Sequence, residues 1–145
     1  MILDTMGIQK YLPHRHPFLM VDSIVAMERL KTITGVKAVT YNEWYFPGHF
    51  PGKPVMPGVL IIEAMAQTGG LLILMEIPDR DKKVLYFVAL DGARFRRPVV
   101  PGDLLRLEMR VVNWRADFCK LAGNAYVGDQ LAAEATLMCK MVDRE

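Results

Sequence analysis

The sequence predicts an α+β fold in which one long, central apolar helix is wrapped by a six-stranded antiparallel sheet. Three observations predict it: six segments of strand-like composition, a single sustained helical run, and the order strand, strand, helix, then four strands. At 145 residues, with 52% hydrophobic and 9% aromatic residues, the chain suffices for one core, so residues 1–145 read as one domain with one site.

The elements follow in order. Residues 18–29 (FLMVDSIVAMER) and 33–40 (ITGVKAVT) are rich in β-branched and apolar residues, and Arg29 to Thr32 can turn between them, which predicts an antiparallel pair. A helix is expected from the MetProGly at 56–58 through VLIIEAMAQTGGLLILMEI, where Pro78 and Asp79 stop it. It is apolar nearly all round, the mark of an enclosed helix. Ala64, Ala66, Gly69 and Gly70 supply small side chains for close backbone approach, which must offset the helix stability that two glycines cost. Residues 84–96, 104–114, 117–127 and 131–142 repeat the strand pattern. ProGlyAsp at 101–103, ArgAlaAsp at 115–117 and GlyAspGln at 128–130 read as hairpin connections.

Composition excludes several functions. With 18 Lys and Arg against 16 Asp and Glu, the molecule has no overall field to draw in nucleic acid. The most apolar stretch, 55–77, carries Glu63, Gln67, Gly69 and Gly70 and reads as a buried helix, so no membrane insertion is expected. The first 18 residues lack the pattern of a secretory signal, which predicts a cytoplasmic protein. Cys119 and Cys139 lie in strand-like segments without CxxC or zinc-site spacing and read as small apolar packing residues.

The densest chemical signal is GHFPGKPVMPGVLIIEAMAQ, residues 48–67, with three glycines and three prolines in its first eleven residues. That composition fixes an irregular loop directly before the helix. Its polar side chains are His49, Lys53, Glu63 and Gln67. Glu63 and Gln67 are four apart and share one helix face, which is otherwise apolar. The Glu63 carboxyl is therefore either desolvated, with a raised pKa suited to a general acid, or it reaches solvent or an arginine at an interface. His49 is the only histidine outside PHRHP; it reads as a general base, or as a structural histidine bonded to loop carbonyls. Gly58 falls at the helix start, where free N–H groups and the helix dipole favour an oxyanion. Base, acid and oxyanion donor within residues 49–63 point to acid/base chemistry beside a carbonyl.

These residues resemble the bacterial (3R)-hydroxyacyl-acyl carrier protein dehydratases of type II fatty acid synthesis, a family with the hotdog fold. The similarity runs through PHRHPFLMVD at 13–22, GHFPGKPVMPGVLIIEAMAQ at 48–67 and ARFRRPVVPGD at 93–103. The resemblance implies that His49 and Glu63 are catalytic and that Gly58 presents the N–H polarising the thioester carbonyl. It implies a homodimer with shared active sites, His49 of one protomer facing Glu63 of the other, and commonly a hexamer built as a trimer of dimers. It also implies acyl carrier protein as partner and no metal or other cofactor. Glu at position 63, where the bifunctional type that also isomerises has Asp, implies dehydration alone. The chain departs from the usual family pattern at His16, at Ser23 and in the bulk of Trp44, Tyr45 and Phe46. These changes put only local contacts in doubt.

The remaining candidates are weaker. His14 and His16 form an HxH pair, but Pro13 and Pro17 around it suggest a rigid turn rather than a metal site. GlyLysPro at 52–54 lacks the Ser or Thr and the glycine spacing of a phosphate loop. Arg94, Arg96 and Arg97 form the sharpest positive cluster, either a docking patch for the acidic carrier protein or a solvated strand edge. By resemblance Tyr86 lines or gates the acyl tunnel, with a plain core aromatic as the alternative, and Gln67 helps hold Glu63. The rival functions are a hotdog acyl-thioester hydrolase and a non-catalytic acyl-thioester binding protein.

Overall fold

The computed structural model of the protein describes residues 1–144. A one-turn helix α1 (Thr5–Ile8) opens the chain, capped by the Asp4 carboxylate, which accepts from the Gly7 N–H at 2.7 Å. Strands β1 (Ser23–Glu28) and β2 (Thr32–Ala38) precede the long helix α2 (Gly58–Leu74). Strands β3 (Lys83–Phe95), β4 (Leu104–Arg115), β5 (Phe118–Val127) and β6 (Gln130–Asp143) follow. They form one six-stranded sheet in the order β1-β2-β4-β5-β6-β3, antiparallel at every pairing.

The sheet wraps α2 as its side-chain pattern requires. Along β4, Leu105, Leu107 and Met109 are buried while Arg106, Glu108 and Arg110 alternate outward, the two-residue period of a half-buried strand. Leu121 and Leu137, register partners on β5 and β6, extend the same inner face. Against it α2 buries Leu60, Ile61, Ile62, Met65 and all of Leu71–Leu74. Each such Leu or Ile contributes about 1.5–3 kcal/mol by leaving water. Two close approaches set the spacing: a Cβ on Gly35 of β2 would lie 2.9 Å from Thr68 Cγ2, and one on Gly69 would lie 2.8 Å from Leu121 Cδ1. The turns at 101–103 and 128–130 form where expected, with Gly102 at φ 98° and Gly128 at φ 59°.

Three expectations need correction, and three short elements were not foreseen. Residues 18–22 are not strand, because the Phe18 carbonyl and the Met20 N–H bond to the Gln67 side chain instead of to a neighbouring strand. Helix α2 begins at Gly58 and ends at Leu74, short of Ile77. Gly69 serves close packing as predicted, but Gly70 lines a cavity. The single-turn elements α1, Phe46–Gly48 and Arg80–Lys82 escaped notice because they are shorter than any periodicity.

Edge strand β3 breaks the inside–outside alternation. Phe87, Val88 and Leu90 are all exposed, as are Phe95 at its end and Val59 on the adjoining turn of α2. An apolar sheet edge of this length invites pairing with another chain. No helix among the described residues is long and apolar enough to cross a membrane.

Candidate active site

The loop before α2 is held from both ends. Tyr45 and Phe46 are buried in the core, and Trp44 Nε1 donates to the Pro17 carbonyl at 3.1 Å, so the bulky aromatic run anchors the loop to the PHRHP turn. Lys37, 4% exposed, pairs with Glu43 at 2.7 Å and ties the same loop to β2. Beyond it the Val55 N–H donates to the His49 carbonyl at 2.9 Å, and the Met56 N–H to the Val99 carbonyl at 2.8 Å. His49 thus sits on a fixed, half-buried loop.

Its ring orientation follows from one bond. Nδ1 lies 2.6 Å from the Val55 carbonyl, which can only accept, so Nδ1 carries the proton. With that proton on Nδ1, Nε2 is the ring nitrogen that can act as an acceptor. The sequence left a base and a loop-bonded histidine as alternatives; the structure shows the loop bond, which leaves Nε2 free.

Glu63 stands on α2 at the polar end of a cavity of about 270 Å³. Gln67 uses its whole amide here: Nε2 donates to Glu63 Oε2 and to the Phe18 carbonyl, both at 2.8 Å, and Oε1 accepts from the Met20 N–H at 2.7 Å. Burial raises the Glu63 pKa above the ordinary carboxylate value, and the Gln67 hydrogen bond opposes that rise without cancelling it. His14, weighed from sequence as a metal ligand, instead enters this cavity with Nε2 3.8 Å from Glu63 Oε2. Burial and then Arg15 lower its pKa, which favours the uncharged ring, and its Nδ1 is buried without a partner among the described residues. His16 is exposed, and no cluster of three or more metal-ligating side chains occurs among the described residues. The signal for His14 was its place in PHRHP, but only the folded chain brings it to Glu63. Tyr86, 59% exposed on β3, also lines the cavity, which excludes the plain core alternative. Cys139 lines it too, its thiol pushed up to about 11 by burial and by Glu63, while burial and Cys139 push Cys119 up to about 12. Thiols held this far from ionisation are inert at neutral pH.

The raised pKa carries a stability prediction. Between its unfolded and folded pKa values Glu63 binds more protons folded than unfolded, so its contribution destabilises increasingly as pH rises through that window. The Glu63→Gln protein is therefore expected to gain thermal stability relative to wild type as pH rises above the ordinary carboxylate range. A Tm difference that stays constant with pH would contradict the assignment.

Gly58 begins α2, so its N–H has no partner within the helix. A Cβ there would lie 2.7 Å from Phe95 Cε1, so any larger residue would have to push that half-exposed ring aside. Gly58 and His49 line a second, open groove of about 570 Å³ with Phe95, Arg96 and Arg97. Arg96 pairs with Glu134 at 2.8 Å, and Arg97 lies 3.4 Å from Asp103, whereas Arg94 is exposed. The structure therefore brings His49, Gly58, Arg96 and Arg97 together on one groove and Glu63, Gln67 and Tyr86 on another cavity. Within one chain His49 and Glu63 line different spaces.

The sequence matches the FabA-like domain family over residues 12–136. The chain belongs to that family. This FabA-like chain is 54% identical over 143 residues to the 3-hydroxyacyl-acyl-carrier-protein dehydratase FabZ of Koribacter versatilis, covering 99% of this chain and 92% of that protein. It is 56% identical over 137 residues to the FabZ of Desulforamulus reducens, covering 94% of this chain and 96% of that one. Among solved structures, a chain of the dehydratase heterocomplex ApeI:P from Xenorhabdus doucetiae superposes with a TM-score of 0.81 at 17% identity. That superposition covers 94% of this chain and 91% of the other, and it bears on the fold alone. The FabA-like match spans both His49 and Glu63.

Proposed function

We propose that the protein is a hydro-lyase that removes water from (3R)-3-hydroxyacyl chains on acyl carrier protein, giving trans-2-enoyl thioesters in fatty acid elongation. The observation that carries this reading is 54% identity to a 3-hydroxyacyl-acyl-carrier-protein dehydratase over 99% of the chain. Residues 1–145 act as one hotdog dehydratase domain in the cytoplasm.

The residues divide the work as follows. The acyl chain lies in the cavity beside Glu63, with its thioester carbonyl on the Gly58 N–H. His49 takes the C2 proton through Nε2, the C2–H electrons form the double bond, and the C3–O bond breaks. Glu63, whose pKa burial raises, gives its proton to the departing hydroxyl, which leaves as water. Gln67 holds Glu63, and Tyr86 lines the acyl cavity. The reaction is redox-neutral and asks for no cofactor. Because His49 and Glu63 line different spaces within one chain, the working site pairs His49 of one protomer with Glu63 of its partner. The exposed apolar edge of β3 supports that dimer. Three dimers form a hexamer, and Arg94, Arg96 and Arg97 beside the groove meet the acidic carrier protein.

Incubation of the purified protein with 3-hydroxybutyryl-acyl carrier protein tests the reading. Reversible formation of the enoyl thioester is the expected product. Release of free carrier thiol would replace dehydration by hydrolysis, and binding without any product would leave a non-catalytic acyl-thioester binder.

A further inference from the structure

Two adjacent glycines of α2 do different things. Gly69 faces the sheet, where a Cβ would lie 2.8 Å from Leu121 Cδ1. Gly70 faces the other way: a Cβ there would meet a single neighbour, Leu85 Cδ1, at 3.4 Å, which is ordinary contact. Packing therefore accounts for Gly69 and leaves Gly70 unexplained. A glycine in a helix interior lowers helix stability, and alanine at 70 would fit.

The space beside Gly70 is the Glu63 cavity. The helix stripe that lines it reads Glu63, Ala66, Gln67, Gly70, Leu74, and from Glu63 to Leu74 it spans about 16 Å of helix axis. The Glu63 end of the stripe is polar, with Gln67 and His14 beside the carboxyl; the Leu74 end is apolar, and Leu12 and Val84 are further apolar members of the lining. Ala66 and Gly70 are the small steps between the two ends. A chain whose reacting carbons lie at Glu63 must pass Gly70 before its tail reaches Leu74.

We infer that Gly70 is the specificity-determining residue for acyl-chain length: its missing side chain opens the second half of the channel to longer substrates. The inference rests on the dehydratase reading above. Short chains end before Gly70 and do not sense it; longer chains lie across it.

The test measures kcat/KM for 3-hydroxyacyl-acyl carrier proteins with four and with ten carbons, on wild type, Gly70→Ala and Gly70→Leu. Gly70→Ala is expected to unfold at the same temperature as wild type or higher, and to lower the ten-carbon value severalfold. Gly70→Leu, which projects further into the channel, is expected to lower it at least tenfold. Both variants keep four-carbon turnover within about twofold of wild type. Equal losses at both lengths would overturn the inference and make Gly70 a structural residue; unchanged values at both would overturn it by showing that the chain does not pass there. A binding arm separates this outcome from failure of the dehydratase reading. S-butyl and S-decyl pantetheine are titrated calorimetrically against the same proteins. Selective loss of the decyl ligand in Gly70→Leu supports the gauge even where no enoyl product forms. Equal affinity of all three proteins for S-decyl pantetheine would overturn it even where dehydration proceeds.

Discussion

Replacing His49 by alanine is expected to lower kcat/KM for 3-hydroxybutyryl-acyl carrier protein by about 10²–10⁴-fold, the range a positioned acid or base contributes. The structural reason is local. The Nδ1 proton is committed to the Val55 carbonyl, so Nε2 is the only ring atom able to accept the C2 proton. The ring is half-buried and makes one hydrogen bond within its loop, to the Val55 carbonyl, while the loop's backbone–backbone bonds remain, so the alanine protein is expected to stay folded with a Tm only modestly below wild type. Glu63→Gln keeps the shape and the Gln67 bond but has no proton to give, and a loss of similar size is expected. In wild type the rate should fall as pH rises through the raised Glu63 pKa, since the protonated acid is the active form, and that limb should vanish in the glutamine protein. Near-wild-type turnover by a folded variant at either position would remove that residue from the mechanism.

An aspartate at the centre of the exposed β3 edge, Val88→Asp, is expected to give a folded monomer with activity near background, although His49 and Glu63 are both intact. Val88 is 49% exposed with Phe87 and Leu90 beside it, so the free chain tolerates a charge there. Across a paired edge two such charges would face each other without water, which association cannot offset. Light scattering during size exclusion reads the mass, and the enoyl assay reads the activity. The companion experiment mixes His49→Ala and Glu63→Gln chains, each inactive alone. Random exchange makes half of the dimers mixed, each with one complete site, so recovery of about a quarter of wild-type activity is expected. An active Val88→Asp monomer, or no recovery after proven subunit exchange, would refute a shared site.

Much of this molecule is legible in its sequence, for physical reasons that also mark where legibility stops. Helix α2 announces itself because an enclosed helix needs apolar residues all round and Pro78 must lie beyond its end. Strands β4 to β6 announce themselves through alternation and glycine turns. Strand β1 is misread at its start because Phe18 and Met20 are bonded by Gln67, a partner 49 and 47 positions away that no local pattern reveals. Gly69 and Gly70 look alike as letters and differ only in which way the helix turns them. His14 reads as part of a rigid Pro-flanked turn, and only folding sets it 3.8 Å from Glu63. Within the site, spacing indicated that His49 and Glu63 were chemical residues, but it could not show that they line separate spaces.

The way Gln67 grips Glu63 makes the two oxygens of the carboxyl unequal. Only Oε2 receives the amide N–H, and it is also the oxygen nearest His14. An oxygen that accepts a hydrogen bond behaves as the carbonyl partner of a neutral acid, so the labile proton belongs on Oε1. In the proposed mechanism Glu63 is thereby a directional donor, its acidic hydrogen placed by the amide of Gln67, and through that amide by the backbone of residues 18–20.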